Sequence, residues 1–270
     1  MRIFKMEMRR GFRSLLLWTG ISGLITLLFT MLYPSMLSSD MLALLEAKLE
    51  ALPKEFVDAF HLSGEDITQL PNFFAYMFQF ILMAACIHGA MLGLTALSKE
   101  EGEGTIEFLY AKPVSRTQIV SGKLAAAAVS YLCYFAVLSI AGVVAGMLVR
   151  PEDLDLIDMV TSFKSILLGG MIAGFTYLLL GFAVSVLLRK AKHAASMAVM
   201  LFFLTYIVGS IPTITGVLEF LKWVSPLNYF TPTDVVINGI DGISVLICVL
   251  IMAASAALTY VRYRKRNFYI

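Results

Sequence analysis

Long apolar runs alternate with short polar connections along the whole chain. Six windows, at about 15–36, 73–97, 124–149, 161–188, 194–216 and 242–261, are each long enough to cross a bilayer. A hydrocarbon core of about 30 Å needs roughly 20 apolar residues. Inside lipid every peptide group must be bonded within its own segment, so the windows are predicted as helices. The pattern therefore predicts an all-α polytopic membrane protein, with residues 1–270 forming a single domain.

The connections carry shorter patterns. Over residues 1–15, Met1, Phe4, Met8, Phe12 and Leu15 share one stripe at helical spacing, with Arg2, Lys5, Arg9 and Arg13 opposite and Ile3 and Met6 off the pattern. A basic amphipathic helix of this kind beds into the headgroup layer. A plain basic flank to the first span is the alternative. In 37–72, Leu42, Leu45, Leu49 and Leu52 repeat at helical intervals, and Pro53 can open a second short helix that ends near His61. Trp223, Tyr229 and Phe230 suit a membrane interface, and Pro212, Pro226 and Pro232 divide 217–241 into short helical pieces that dip back toward the membrane. Gly89/Gly93, Gly142/Gly146 and Gly170/Gly174 each repeat at four-residue spacing, which lets helix backbones approach closely, within one chain or between two.

Composition agrees with the pattern. The 270 residues are 59% hydrophobic and 15% charged, with a mean hydropathy of +0.82. Soluble chains are about a quarter charged. Net charge is only +2, but sixteen of the 21 Lys and Arg residues fall on one side of the predicted membrane. Basic residues near span ends stay in the cytoplasm, so both termini are expected there. The run from Leu15 to Leu37 is too long for the apolar core of a cleavable signal. Cys86, Cys133 and Cys248 all fall inside spans and are read as reduced packing groups.

Chemistry is sparse. The span interiors hold almost no ionisable groups, which proton- and ion-driven carriers usually keep as relays. His88 is the nearest case and is read as a hydrogen-bonded packing residue, while Lys164 can snorkel outward. His61, His88 and His193 lack metal-ligand spacing, no serine sits in a nucleophile elbow, and Gly122-Lys123 departs from a phosphate loop at Leu124 and Thr117. No catalytic residue and no metal site are expected, and ATP cleavage by this chain in the usual way is excluded.

The densest charge cluster lies between the second and third spans. Glu100, Glu101 and Glu103 precede or open a short helix at about 104–111, where negative charge suits the N-terminal dipole. Pro113 stops it, and Ser115 with Gln118 forms a capping box that starts the next helix. Ile106, Leu109 and Tyr110 share one side of the short helix and Phe108 points nearly opposite. Two placements stay open at this point: a helix lying in lipid headgroups, or one seated in a groove of a cytoplasmic partner.

Glu100-Glu101-Gly102-Glu103-Gly104-Thr105-Ile106-Glu107-Phe108-Leu109-Tyr110-Ala111-Lys112-Pro113-Val114-Ser115-Arg116, followed by Gly122-Lys123, resembles the loop after the second helix of type-2 ATP-binding-cassette exporter permeases. Leu52-Pro53-Lys54-Glu55-Phe56, closing near His61-Leu62-Ser63-Gly64, and the span plan are similar too, so the resemblance covers essentially the whole chain. It implies a bacterial plasma-membrane permease half that pairs with an identical or homologous half and docks two cytoplasmic ATPase subunits. ATP and Mg would sit on those partners, and this chain would bind no cofactor. By the same resemblance Arg2, Lys5, Arg9 and Arg13 belong to a membrane-surface helix. Glu100, Glu101, Glu103, Gly104, Thr105, Glu107, Phe108, Leu109, Pro113 and Arg116 form the coupling and ATPase-docking region, and about 217–238 holds short external re-entrant helices.

The function implied is ATP-driven export, not enzymatic catalysis by this chain. Scarce buried charge suits a hydrophobic or amphipathic cargo such as an antibiotic or peptide. The alternative is an ion- or proton-coupled carrier or a channel; an intramembrane enzyme and a non-transporting sensor on the same plan stand behind it. A cargo pocket would line the dimer seam along the second and fifth spans, and no individual residue stands out as a ligand.

Overall fold

The computed structural model describes residues 2–38, 47, 51–53, 67–102, 115–187 and 191–265. These are helical, with no strand among them: α1 (Arg2–Met31), α2 (Tyr33–Met36), α3 (Leu70–Gly102), α4 (Arg116–Val149), α5 (Leu156–Ser185), α6 (Ala194–Thr215), α7 (Pro232–Asn238) and α8 (Gly242–Lys265). Single turns of 3-10 helix occupy Ala191–His193 and Asn228–Phe230, and a longer one Glu219–Val224. Among the described residues six helices (α1, α3, α4, α5, α6 and α8) are long and apolar enough to cross a membrane.

The first span differs from expectation at both ends. A surface helix over 1–15 and a span over 15–36 merge into the single unbroken α1, which stops at Met31. Proline explains the stop. Pro34 lacks an amide hydrogen and its ring clashes with the carbonyl four residues back, so the chain turns at Leu32 and restarts as α2 with that proline in its first turn. Tyr33 is buried, and its hydroxyl donates to the Thr68 carbonyl at 2.6 Å, tying this corner to the approach to α3.

Apolar burial cannot drive helices together in lipid, where close packing must do so instead. The glycine spacings show how. A Cβ placed on Gly89 would lie 2.6 Å from the Gly174 carbonyl oxygen, and one on Gly93 would lie 2.6 Å from the Phe182 nitrogen and collide with the Leu178 carbonyl. The α3 and α5 backbones therefore touch, and the glycine seam lies within one chain. Aromatic rings fill the space beside it. Phe74 of α3 stacks on Phe163 of α5 at 3.9 Å between centroids, and Tyr131, Phe135, Tyr177 and Phe202 are fully or almost fully buried around them.

The segment between α6 and α8 folds back along the bundle. Phe230 lies against Gly169, which stands thirteen residues into α5 and so about 20 Å along it at 1.5 Å per residue. Two glycines open and close this excursion: Gly216 at φ 66° and Gly239 at φ 73°. At Gly239 ψ is −167°, a combination that only glycine occupies freely. No neighbouring atom blocks a side chain there. Gly239→Ala is accordingly expected to cost about 1–3 kcal/mol through backbone strain alone, and Gly216→Ala about 1 kcal/mol, an order that thermal unfolding of the two purified variants checks.

Candidate functional site

The predicted coupling region joins the bundle where α3 ends and α4 begins. Glu100 and Glu101 belong to the last turn of α3 and Arg116 opens α4, whereas Glu103, Gly104, Thr105, Glu107, Phe108, Leu109 and Pro113 lie outside the described residues, as does the expected helix in 37–72 except for a few positions. The predicted start of α4 is present atom for atom. The Gln118 amide donates to Ser115 Oγ at 3.2 Å, and the Ser115 amide donates to Gln118 Oε1 at 3.0 Å.

Around that cap five helix ends meet. Leu97 of α3, Ile119 and Val120 of α4, Phe182 and Val186 at the end of α5, and Tyr263 of α8 form a small buried cluster, against which Ile3 and Met6 of α1 pack. The two residues that break the expected amphipathic stripe are thus among those that pack α1 onto this junction. Met8 also turns inward, its sulfur 3.4 Å from Ser130 Oγ, while Phe12 is 54% exposed. Lys5, Arg9 and Arg13 are exposed on this helix.

Polar contacts lock the same junction. Lys123 Nζ lies 3.0 Å from Glu7 Oε1, with the lysine side chain 1% and the glutamate 15% exposed. A buried ammonium needs charge compensation nearby, and the Glu7 carboxylate supplies it here. Arg116 sits in the first turn of α4, the wrong end for a cation in its own helix dipole. Its guanidinium instead donates to the Arg264 carbonyl at 2.9 Å and the Tyr263 carbonyl at 3.4 Å, where it complements the negative end of α8. One turn further along, the hydroxyls of Ser121 and Tyr260 are 2.7 Å apart. Gly122 leaves room for Ile3, whose Cβ would stand 3.2 Å from a side chain placed there.

From residue order Lys123 is only a basic residue near a span end, and Glu7 does not stand out within its basic flank. A signal is nonetheless there: Glu7 is the sole acidic residue before Asp40, surrounded by five bases.

His88 is buried at the centre of the bundle as a packing residue, but its contacts are rings. It stacks on Trp18 at 4.6 Å and lies 4.8 Å from Tyr134, and neither ring nitrogen has a hydrogen-bond partner among the described residues. The expected hydrogen bond is replaced by aromatic packing because the neighbouring hydroxyls are spent elsewhere. Tyr134 donates to Ser22 Oγ at 3.1 Å and Tyr131 to the Ala85 carbonyl at 3.2 Å. All three cysteines are free, Cys133 exposed and the others buried.

Among its described residues the junction holds no set of groups able to do covalent chemistry. The start of α4 is in direct contact with both α1 and α8. A search of curated proteins finds no match for this chain. The sequence profile of the ABC-2 family transporter proteins, in contrast, matches residues 1–268, and the chain belongs to that family of multi-pass membrane transporters.

Proposed function

We propose that this chain is the membrane-spanning half of an ATP-driven exporter, working as a dimer of permease halves with two cytoplasmic ATPase subunits. The observation that carries the reading is the junction of five helix ends at the start of α4, beside the end of α3, the two elements that residues 103–114 connect in sequence. ATP, with Mg, binds on the partners and draws them together. Residues 103–114 receive that movement, and Arg116, Lys123 and the Ser121–Tyr260 contact pass it to α8 and α1. A two-state rearrangement biased by nucleotide needs such a rigid input. The distribution of basic residues supports placing both termini in the cytoplasm, and the scarcity of carboxylates within the spans favours an external motor and a hydrophobic or amphipathic cargo over an ion-coupled cycle.

Docking of a helix in a partner groove depends on one or two apolar anchors. Phe108→Asp is expected to abolish co-purification with the ATPase while membrane insertion and yield stay unchanged. Retained binding would remove Phe108 from the docking surface.

A further inference from the structure

A cavity of about 420 Å³ opens at the end of the bundle opposite the five-helix junction, where Glu219–Val224 and α7 close over the end of α6 and the start of α8. Its lining is unlike the rest of the chain. Lys222, Asn228, Asp234 and Asn238 face it beside an aromatic wall of Trp223 and Tyr229. The two rings are 5.5 Å apart. The Tyr229 hydroxyl donates to the Trp223 carbonyl, so this wall offers ring faces more than hydroxyls, and Trp223 keeps 49% of its surface open.

The charged groups lie exposed on its wall. Lys222 and Asp234 line the same cavity, yet neither forms an ion pair with the other or with any other described residue. Asp241 also borders the space, but its carboxylate is occupied: it accepts the Ser244 amide and hydroxyl, each at 2.9 Å, and the Ile243 amide at 3.3 Å. Those bonds hold it below the usual carboxylate range and assign it to capping α8. Asn228 Oδ1 is buried without a hydrogen-bond partner among the described residues. One cation, the Asp234 carboxylate and a ring face therefore remain for a ligand, with the charge of Asp241 adding to the acidic side.

A simple anion would satisfy Lys222 and be repelled by Asp234, and a simple cation would meet the reverse. A ligand carrying both charges satisfies both, its ammonium lying between Asp234 and the face of Trp223 and its anionic oxygens on Lys222. The surroundings narrow the class further. Val217, Phe220 and Val224, on the same segment, are 59%, 65% and 40% exposed, which suits a rim embedded among lipid chains at headgroup depth. We propose that this cavity binds a zwitterionic headgroup, an ammonium joined to a phosphate, presented by a membrane amphiphile. The assignment goes beyond the export reading and does not depend on it.

Trp18 and Trp223 are the only tryptophans, so Trp18→Phe leaves Trp223 as the reporter. In detergent, soluble glycerophosphoethanolamine, a phosphodiester with one negative and one positive charge, is titrated against ethanolamine and dimethyl phosphate, which each carry one of the two charges. In a second arm the protein sits in nanodiscs of phosphatidylglycerol with increasing phosphatidylethanolamine. A saturable change in Trp223 emission is expected with the zwitterion, weakened at least tenfold by Lys222→Gln and by Asp234→Asn. Response to the soluble compound shows that the headgroup suffices, and response only in the nanodisc arm shows that the ligand must be an anchored lipid. No response in either arm, an equal response to a single-charge compound, or indifference to both substitutions would overturn the proposal. Calorimetric titration of the unsubstituted chain with the same compounds tests the same preference without relying on Trp18→Phe. No ATPase is present, so failure here leaves the export reading intact.

Discussion

Gly93→Leu is expected to leave little or no correctly folded protein. The seam between α3 and α5 has no slack at this position: the first side-chain carbon alone would collide with the Leu178 carbonyl and come within 2.6 Å of the Phe182 nitrogen. Backbone cannot rotate aside as a flexible side chain can, so the two helices must separate. Separation would also unstack Phe74 from Phe163 and displace Phe182 from the five-helix junction. Overpacking a well-filled core costs about 1–3 kcal/mol and sometimes more, and a backbone collision in the most intimate helix pair belongs at or above the top of that range. Gly20→Leu provides the control, because nothing lies within 4 Å of a Cβ there. Size-exclusion profiles of the two variants, expressed and solubilised in parallel, should show a folded peak for the second and aggregate for the first.

Glu7→Ala is expected to destabilise the protein by about 3 kcal/mol, because it removes a carboxylate 3.0 Å from the buried Lys123 ammonium. The informative variant is the double one. Replacing both charges, as Glu7→Ala with Lys123→Met, removes the cost of burying an ammonium whose nearby carboxylate is gone, and part of the lost stability should return. A double variant no better than Glu7→Ala alone would mean that the pair does not act as a unit. The single change should also loosen α1 from α4, so proteolysis near the start of α1 should accelerate even where the bundle survives. Thermal unfolding in detergent checks the first effect and timed protease digestion the second.

Much of this architecture can be read from residue order because lipid imposes such strict rules. Apolar runs of sufficient length must be helices, and all six predicted spans have counterparts, although α1 stops five residues early where Pro34 interrupts the helix. The Ser115–Gln118 cap is legible because it is local, both partners lying within one turn. The glycine pairs announce close approach, but a spacing along one helix cannot name the helix it faces; that α5 lies against α3 emerges only from the packed coordinates. The Glu7–Lys123 pair is hidden for a similar reason, since its partners stand 116 positions apart and each looks like part of an ordinary charged flank. His88 shows the opposite case. Its burial is foreseeable, whereas its ring contacts with Trp18 and Tyr134 depend on three helices meeting at one depth. The cavity lined by Lys222 and Asp234 gives no signal at all in the sequence, because the path of the segment that carries both is set by turns outside them, at Gly216 and Leu218 (φ 63°) before and Gly239 after.

The central claim is that this protein lacks a motor and takes its movement through the connection between α3 and α4. A photo-crosslinking residue placed at position 108 in native membranes tests it directly, with the adducts identified by mass spectrometry. The expected adduct is a cytoplasmic nucleotide-binding ATPase. Adducts confined to lipid, or to a second copy of this chain, would contradict the claim.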